Sequence, residues 1–260
     1  MAQWIAYTCG GKSGFGRVEG DKVIAHDGDM FGEPRSAGAE IALNEVSIGL
    51  PCRPGKLIAL WNNYHAQAAK MGLAIPAEPL YVIKAANSYS AHGESVAPPA
   101  SYDGRVVYEG ELGIVIGRRC KHSNKEQAER AIFGYTCIND ITALDLITRD
   151  AAFAQWTRAK SFDGFGVIGP VIATGLDWRS LNVRTLLNGR ERQNYPCSDM
   201  IFSPVEIVHA LSQDMTLEPG DVIACGTSLG VLPMKAGSTV EVQIEGIGTL
   251  RSHFAESPPA

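Results

Sequence analysis

The sequence of 260 residues lacks the features that mark membrane and nucleic-acid-binding proteins. No apolar run reaches the roughly 18 residues of a membrane-spanning helix, so we expect no membrane segment. The net charge is −5 and no long basic run occurs, which argues against a nucleic-acid partner. The N-terminus has no charged segment followed by an apolar one, so we also expect no signal peptide.

The sequence also lacks any paired spacing of cysteines. Its six cysteines form no CxxC pair and no zinc-binding pattern, which excludes a zinc ribbon and a disulfide framework as the basis of the fold. Scattered reduced thiols are typical of the cytoplasm, and we expect a cytoplasmic protein. The cysteines are Cys9, Cys52, Cys120, Cys137, Cys197 and Cys225.

What is present is an ordinary globular composition, 45% hydrophobic and 20% charged, enough for one large domain or two smaller ones. Residues 1–54 consist of short strands and Gly-rich turns. The stretch GLPCRPGK, residues 49–56, marks the best boundary, which predicts a small β-rich N-terminal domain (1–54) and a larger domain (55–260). The final Pro-Pro-Ala is typical of a short loose tail.

Strand-like segments dominate the larger part, with helices inserted irregularly rather than after every strand. This order predicts an α+β fold built on a mixed β-roll, not a doubly wound sheet. Asn-Gly at 188–189 predicts a hairpin turn. Helix formers predict one helix that ends at Gly72. Capping signals predict three more helices, opened by Ser123 with Glu126 (to about Ile132), by Thr142 with Asp145 (to about Gln155), and by Ser203 with Pro204 and Glu206.

The segment YEGELGIVIG, residues 108–117, places two carboxylates in a strand that otherwise has the pattern of a buried one. In a strand, Glu109 and Glu111 point to the same face, and Gly110 points to the other face, where another backbone can approach closely. Two anions on a partly buried face repel each other and lose hydration. Solvent exposure, pairing with Arg or Lys, or a shared divalent cation such as Mg²⁺ would each relieve this.

Three other segments carry candidate site residues. Asp140 closes a strand in CINDITALD, where it is either a third carboxylate ligand or a turn residue. Lys160, in RAKSFDGFG, is either a surface lysine or a cation that stabilises developing negative charge. The Gly-rich turn after the strand in ACGTSLGV offers backbone N–H groups and hydroxyls that can hold a carboxylate.

These motifs, in this order, resemble the fumarylacetoacetate hydrolase family over residues 55–255. The motifs are E-x-E, N-D-x-T-x-x-D, A-K-S-F-D-G, S-D-M-I-F-S and L-x-P-G-D-V-I-x-x-G-T. The resemblance implies a mixed β-roll and a homodimer. It assigns Mg²⁺, or Mn²⁺, to Glu109, Glu111 and Asp140, a catalytic role to Lys160, and substrate contacts to Gly226, Thr227 and, in a loop, Tyr89.

The family resemblance also implies a reaction. It predicts hydrolysis of the C–C bond of a 2,4-dioxo acid of the acylpyruvate type, giving pyruvate and a carboxylic acid through a metal-stabilised enolate. The same core also serves isomerisation of a 2-hydroxy-diene-dioate and decarboxylation of oxaloacetate. A weak or non-catalytic binder of 2-oxo acids is a further alternative.

One segment departs from the family pattern and leaves the reaction open. Many members read N-Y-x-x-H-x-x-E where this chain reads NNYHAQAAKMG, so Gln67 and Lys70 stand in place of the His–Glu pair that activates water. His65 lies two residues early, which on a helix turns its side chain by roughly 200°. We take His65 as the candidate base for a hydrolase, while an isomerase, a decarboxylase or a binder would activate no hydrolytic water.

Overall fold

Strands dominate the structure, a computed structural model that describes residues 1–256, so the predicted Pro-Pro-Ala tail lies outside the described residues. The first nine strands are β1 Ala2–Cys9, β2 Lys12–Glu19, β3 Lys22–Asp27, β4 Arg35–Ala42, β5 Ser47–Ile48, β6 Leu57–Trp61, β7 Leu80–Lys84, β8 Tyr89–Ser90 and β9 Ser95–Val96. The next ten are β10 Val106–Val107, β11 Gly110–Ile116, β12 Ile132–Asp140, β13 Thr142–Ala143, β14 Gly166–Thr174, β15 Asn182–Leu187, β16 Arg190–Pro196, β17 Val222–Ala224, β18 Thr239–Ile244 and β19 Gly248–Phe254.

Four α-helices are inserted among these strands within residues 1–256, and none of them is long and apolar enough to cross a membrane. Their irregular placement confirms the α+β class predicted from the order of the elements. The helices are α1 His65–Met71, α2 Lys125–Ala131, α3 Trp156–Lys160 and α4 Pro204–Asp214.

A mixed sheet forms the centre of the molecule, in the order β4-β3-β2-β1-β14-β12-β11-β17-β6-β7, with β5 on β1 and β8 on β14. Most neighbours are antiparallel, whereas β17 runs parallel to β6 and β8 parallel to β14. Strand β11 lies near the middle and is buried along its whole length. Its alternate residues Leu112, Ile114 and Ile116 join a larger core, while Val115 joins a smaller core on the opposite face.

A second sheet, in the order β16-β15-β18-β19-β9, packs against the first through β19 and β15. Its β15–β16 hairpin turns at Asn188 and Gly189, whose positive φ values of 50° and 75° confirm the predicted Asn-Gly turn. Strand β18 alternates between buried and half-buried residues because only one of its faces meets the core.

Strands β1 to β4 form the predicted N-terminal meander. Strand β1 pairs with β14, from Ala2 opposite Thr174 to Trp4 opposite Ile172. The central sheet therefore continues across the predicted boundary at residue 54, and the division into two domains there stays a prediction.

The local signals for two helices are confirmed. Helix α1 ends at Gly72, which takes the left-handed conformation with φ 66°. Helix α4 begins with the predicted capping box between Ser203 and Glu206. For α2, the predicted pair of Ser123 and Glu126 is wrong by one residue, since the capping box joins Asn124 and Gln127.

The helix predicted from Thr142 to Gln155 is wrong. Strand β13 begins at Thr142 and pairs with β10, and a short 3₁₀ turn, Leu144–Leu146, follows it. The Asp145 carboxylate does not cap Thr142, because it accepts hydrogen bonds from the Arg105 backbone N–H (2.9 Å) and from the Tyr102 hydroxyl (3.0 Å). Contacts with a distant segment therefore override the local capping signal.

Candidate metal centre and cleft

The candidate site lies at the ends of two central strands of the main sheet, where β12 ends and β11 begins. The two strands are antiparallel and place Gly110 opposite Asn139. Just beyond this pair, the Asp140 backbone N–H donates to the Glu109 carbonyl oxygen at 2.8 Å. The pairing thus brings Asp140 next to the two glutamates, although 29 residues or more separate them in sequence.

Three carboxylates converge there. Glu109, Glu111 and Asp140 each offer an oxygen atom, and these atoms lie within 4.8 Å of one another. Glu111 and Asp140 are 1% and 0% exposed, and Glu109 is half-buried. Burial, together with the negative charges of Asp140 and Glu109, raises the pKa of Glu111 well above its ordinary value. A buried set of hard oxygen ligands that is short of positive charge fits a cation such as Mg²⁺ or Mn²⁺.

Lys160, the last residue of α3, points into this cluster. Its Nζ donates to Glu109 Oε2 at 2.6 Å, to Asp140 Oδ2, and to Thr142 Oγ1 at 2.9 Å. Burial alone would lower the pKa of Lys160, but the surrounding carboxylates outweigh burial and raise it. The side chain is therefore a fixed ammonium group beside the carboxylates.

A second buried lysine, Lys84 at the end of β7, was not predicted from the sequence. Its Nζ donates to Asp140 Oδ1 and to the Phe165 carbonyl oxygen at 3.0 Å, and its side chain is 0% exposed. Burial would raise the pKa of Asp140, but Lys160 and Lys84 outweigh it and keep that pKa below its ordinary value. Lys84 is the last residue of an apolar strand, and nothing in the neighbouring sequence indicates that it contacts a distant carboxylate.

Gly226 and Thr227 lie in the loop that follows β17. The Gly226 backbone N–H donates to Glu111 Oε2 at 2.7 Å, so it holds a carboxylate of the chain itself. Thr227 Oγ1 donates to the Gly110 carbonyl oxygen at 3.0 Å and accepts from Gln193 Nε2 at 2.8 Å. The roles of both residues as substrate contacts stay predictions.

A cleft of about 320 Å³ opens beside the carboxylates. Glu109, Glu111, Lys160 and Thr227 line one part of it, and two neutral amides, Asn62 and Gln67, also contribute. The rest of the lining is apolar and comes from β6, α1 and the segments around α3. These apolar residues are Leu60, Trp61, Met71, Leu73, Leu144, Ile147, Trp156 and Val231.

Four predicted site residues do not line this cleft. Asp140 and Gly226 still belong to or contact the carboxylate cluster, whereas His65 and Tyr89 do not. His65 is exposed at the start of α1, whereas Gln67, two residues later, lines the cleft, as expected from the helical turn between them. The Tyr89 hydroxyl accepts a hydrogen bond from the Leu57 backbone N–H at 3.1 Å. The structure therefore brings together the three carboxylates, Lys160 and Thr227 but neither His65 nor Tyr89, whose roles stay predictions.

The chain belongs to the fumarylacetoacetate hydrolase family. Residues 56–255 match the model for the fumarylacetoacetate (FAA) hydrolase C-terminal domain. Residues 3–51 match a second family model, described as Rv2993c-like, N-terminal. The resemblance inferred from the order of the five motifs is thus confirmed.

Several relatives match over nearly the whole chain. A protein of Methanocaldococcus jannaschii without an assigned function is 42% identical over 237 residues, 91% of this chain and 96% of that one. Oxaloacetate tautomerase YisK of Bacillus subtilis is 36% identical over 91% of this chain and 84% of its own. The crystal structure of 2-hydroxyhepta-2,4-diene-1,7-dioate isomerase from Mycobacterium marinum superposes with a TM-score of 0.90, at 34% identity and 98% coverage of both chains.

These comparisons confirm the predicted fold and place the chain in a family of enzymes. The family β-roll is confirmed by the match at the level of structure. The named relatives include a tautomerase and an isomerase. The acidic cluster of this chain is able to hold a metal ion.

Proposed function

We propose that the chain is a divalent-metal-dependent isomerase that interconverts the keto and enol forms of a 2-oxo acid. The observation that carries this proposal is that α1 presents the neutral amide of Gln67 to the cleft and no side chain that could act as a base. Among the described residues that line the cleft, the titratable side chains are Glu109, Glu111 and Lys160 alone. None of these is a free base suited to activating water. Tautomerisation consumes no water: the enol hydroxyl would lose its proton to solvent and C3 would take one from solvent, so the reaction balances without a base among the lining residues. Two relatives are named for reactions of this kind.

In this proposal Glu109, Glu111 and Asp140 hold Mg²⁺ or Mn²⁺. Such a cation would polarise the 2-oxo carbonyl and the neighbouring carboxylate of the substrate. The ammonium group of Lys160 would stabilise the negative charge that develops on the enolate oxygen. Because the pKa of Lys160 is raised, its part is electrostatic rather than that of a proton acceptor.

Hydrolysis of an acylpyruvate is the second candidate. The apolar walls of the cleft support it, because they would accommodate an acyl group. It requires a base that activates water, and His65 reaches the cleft only if α1 changes its position or register. Decarboxylation of oxaloacetate and metal-dependent binding without turnover use the same carboxylates and stay as the remaining alternatives.

The two candidate reactions are separated by incubating the protein with Mg²⁺ and a panel of 2-oxo and 2,4-dioxo acids. Tautomerisation changes the ultraviolet absorbance of the enol without releasing pyruvate or CO₂. We expect this change, and we expect EDTA and Glu109→Gln to abolish it. Release of pyruvate would establish the hydrolase instead, and release of CO₂ the decarboxylase. Binding of oxalate without turnover of any panel member would leave only the binder.

We further propose that the chain forms a homodimer in the cytoplasm. Exposed apolar side chains on β7, at the edge of the central sheet, support a partner surface there: Leu80, Tyr81 and Ile83 are 38%, 37% and 41% exposed. The six cysteines are all free thiols, which suits a reducing compartment. Light scattering of the purified protein tests the dimer.

A further inference from the structure

We propose that the cleft selects 2-oxo acids whose remote end is apolar and uncharged, in preference to dicarboxylic acids. The inference rests on the proposed function, because the 2-oxo acid end must be held at the carboxylate cluster. It concerns the opposite end of the ligand, which the cluster does not contact. The lining of the cleft determines which chemistry that end can have.

Most of the side chains that line the cleft are aliphatic or aromatic. Leu73, Leu144, Ile147 and Val231 supply the aliphatic part. Trp61 and Trp156 supply two indole rings in edge contact, with centroids 5.5 Å apart. An apolar group buried against this surface leaves water without losing a hydrogen bond, which favours its binding.

Positive charge, in contrast, is confined to one side chain. Among the described residues that line the cleft, Lys160 is the only cation. Its Nζ already donates to Glu109, Asp140 and Thr142, so its donors are used at the cluster. A second carboxylate on the ligand would therefore lose its hydration without gaining a cation, and it would also face the negative charge of the cluster.

The two side-chain amides of the cleft are also engaged. Asn62 Nδ2 donates to the Ala74 carbonyl oxygen at 3.0 Å. Gln67 Nε2 contacts Met71 Sδ at 3.2 Å, a weak bond that a ligand can displace. One displaceable amide cannot replace the hydration shell of a carboxylate, which normally requires a cation or several N–H donors.

This preference would distinguish the chain from two relatives by the chemistry of their named substrates. Oxaloacetate and 2-hydroxyhepta-2,4-diene-1,7-dioate are both dicarboxylates. A cleft that disfavours a second carboxylate would give this chain a specificity different from theirs. The expected ligand is therefore a monocarboxylic 2-oxo acid with an alkyl or aryl tail.

The test uses two oxamates that share the chelating head and differ only in the tail. N-benzyloxamate carries an aryl tail, and N-carboxymethyloxamate carries a carboxylate. In titration calorimetry with Mg²⁺, we expect the benzyl compound to bind at least about tenfold more tightly. Equal affinity, or tighter binding of the carboxymethyl compound, would overturn the inference.

Unsubstituted oxamate separates this inference from the proposed function. If oxamate and both derivatives fail to bind with Mg²⁺, the proposed function and the inference both fail. If the benzyl preference is present but persists unchanged in EDTA, the inference stands and the metal-dependent function does not. If oxamate binds only with Mg²⁺ but the tail has no effect, the function stands and the inference fails.

A charge introduced into the lining tests where the tail lies. Met71 lines the cleft and is 53% exposed, so Met71→Lys is expected to fold and to place an ammonium group at the cleft. It should reduce the benzyl preference by about tenfold through tighter binding of the carboxymethyl compound. Phe153→Lys adds the same charge on a 71% exposed residue outside the cleft and should leave the preference unchanged. An unchanged preference in Met71→Lys would contradict the placement of the tail.

Discussion

Asp140 is fully buried and yet ionised, because two lysines reach it from different elements. Lys160 of α3 contacts one carboxylate oxygen and Lys84 of β7 contacts the other. Each lysine loses its own hydration on burial, so each depends on the carboxylate as much as the carboxylate depends on it. The two lysines therefore lie beside Asp140 before any metal binds, and their hydrogen bonds fix the orientation of its carboxylate.

Removing Lys84 should destabilise the fold strongly. Lys84→Met leaves the buried Asp140 with one partner fewer and the Phe165 carbonyl with only the hydrogen bond from the Ile141 N–H, so we expect a loss of about 3–5 kcal/mol. Lys22→Met is the matched control, since Lys22 pairs with Glu40 where both side chains are more than half exposed; that change should cost far less. Urea unfolding in EDTA measures both. Equal losses in the two variants would contradict the structural role of Lys84.

Glu111→Gln should separate metal binding from stability. The glutamine keeps an acceptor for the Gly226 N–H while removing one negative charge next to Asp140 and Glu109. Without metal, we expect the variant to be at least as stable as the unmodified chain. With Mg²⁺ at about 100 times its Kd, the unmodified chain should gain about 2.7 kcal/mol, and the variant should gain nothing.

Thermal unfolding with and without Mg²⁺ measures this difference. Glu33→Gln, an exchange at an exposed position outside the cluster, should keep the full metal-dependent rise in Tm. A metal-dependent rise retained in Glu111→Gln would show that Glu111 is not a ligand.

At the scale of elements, the sequence was most informative where local chemistry decides the structure. The Asn188-Gly189 turn, the capping box of α4 and the end of α1 at Gly72 each depend on a few neighbouring residues, and all were predicted. The helix predicted from Thr142 failed because its capping residue binds a segment about 40 residues away.

Part of the candidate site is likewise predictable from local sequence, and the rest depends on contacts between distant segments. The two-residue spacing of Glu109 and Glu111 places both side chains on one face, which the sequence alone indicates. The proximity of Asp140 depends on the register of β11 and β12. The local sequence offered Asp140 either as a third ligand or as a turn residue, and the family resemblance favoured the ligand. Lys84 reaches Asp140 across 56 positions, with no periodicity or motif to signal the contact.

The capping box of α4 should make stability depend on pH in a defined window. Lys125 and Ser203 bind the Glu206 carboxylate and lower its pKa from 4.5 to about 2. Because the pKa is lower in the folded state, this stabilisation is complete above pH 4.5 and is lost as the pH falls towards 2. Glu206 is 41% exposed, so the effect should not exceed about 1 kcal/mol.

Comparison with Glu206→Gln isolates this contribution. The unmodified chain should be more stable than the variant at pH 6, and the difference should shrink between pH 4.5 and 2. Glu129→Gln on α2 changes an exposed glutamate and should give a constant difference in urea unfolding across that range. A difference for Glu206→Gln that is equally constant would contradict a role for its ionised form.

At the scale of the whole molecule, the candidate metal-binding segment lies where the two sheets meet. The Gly110 N–H donates to Gln193 Oε1 at 3.0 Å, and the Tyr195 hydroxyl donates to the Gly110 carbonyl oxygen. Both partners belong to β16 of the second sheet. The face of Gly110 was expected to admit another backbone, but a side chain, Thr185 of β15, occupies it. The second sheet thus fixes the backbone between Glu109 and Glu111.

The absence of a side chain at Gly110 is therefore a condition for this packing. A Cβ atom added there would lie 2.0 Å from Thr185 Oγ1, so Gly110→Ala should cost about 1–3 kcal/mol and weaken Mg²⁺ binding by displacing the flanking glutamates. Thr185 Oγ1 is buried without a hydrogen-bond partner among the described residues, so Thr185→Ala alone should cost little. Combined with Gly110→Ala, it should restore most of the stability and the Mg²⁺ affinity, as measured by urea unfolding and calorimetry. Strictly additive effects of the two substitutions would show that this contact does not couple the second sheet to the metal centre.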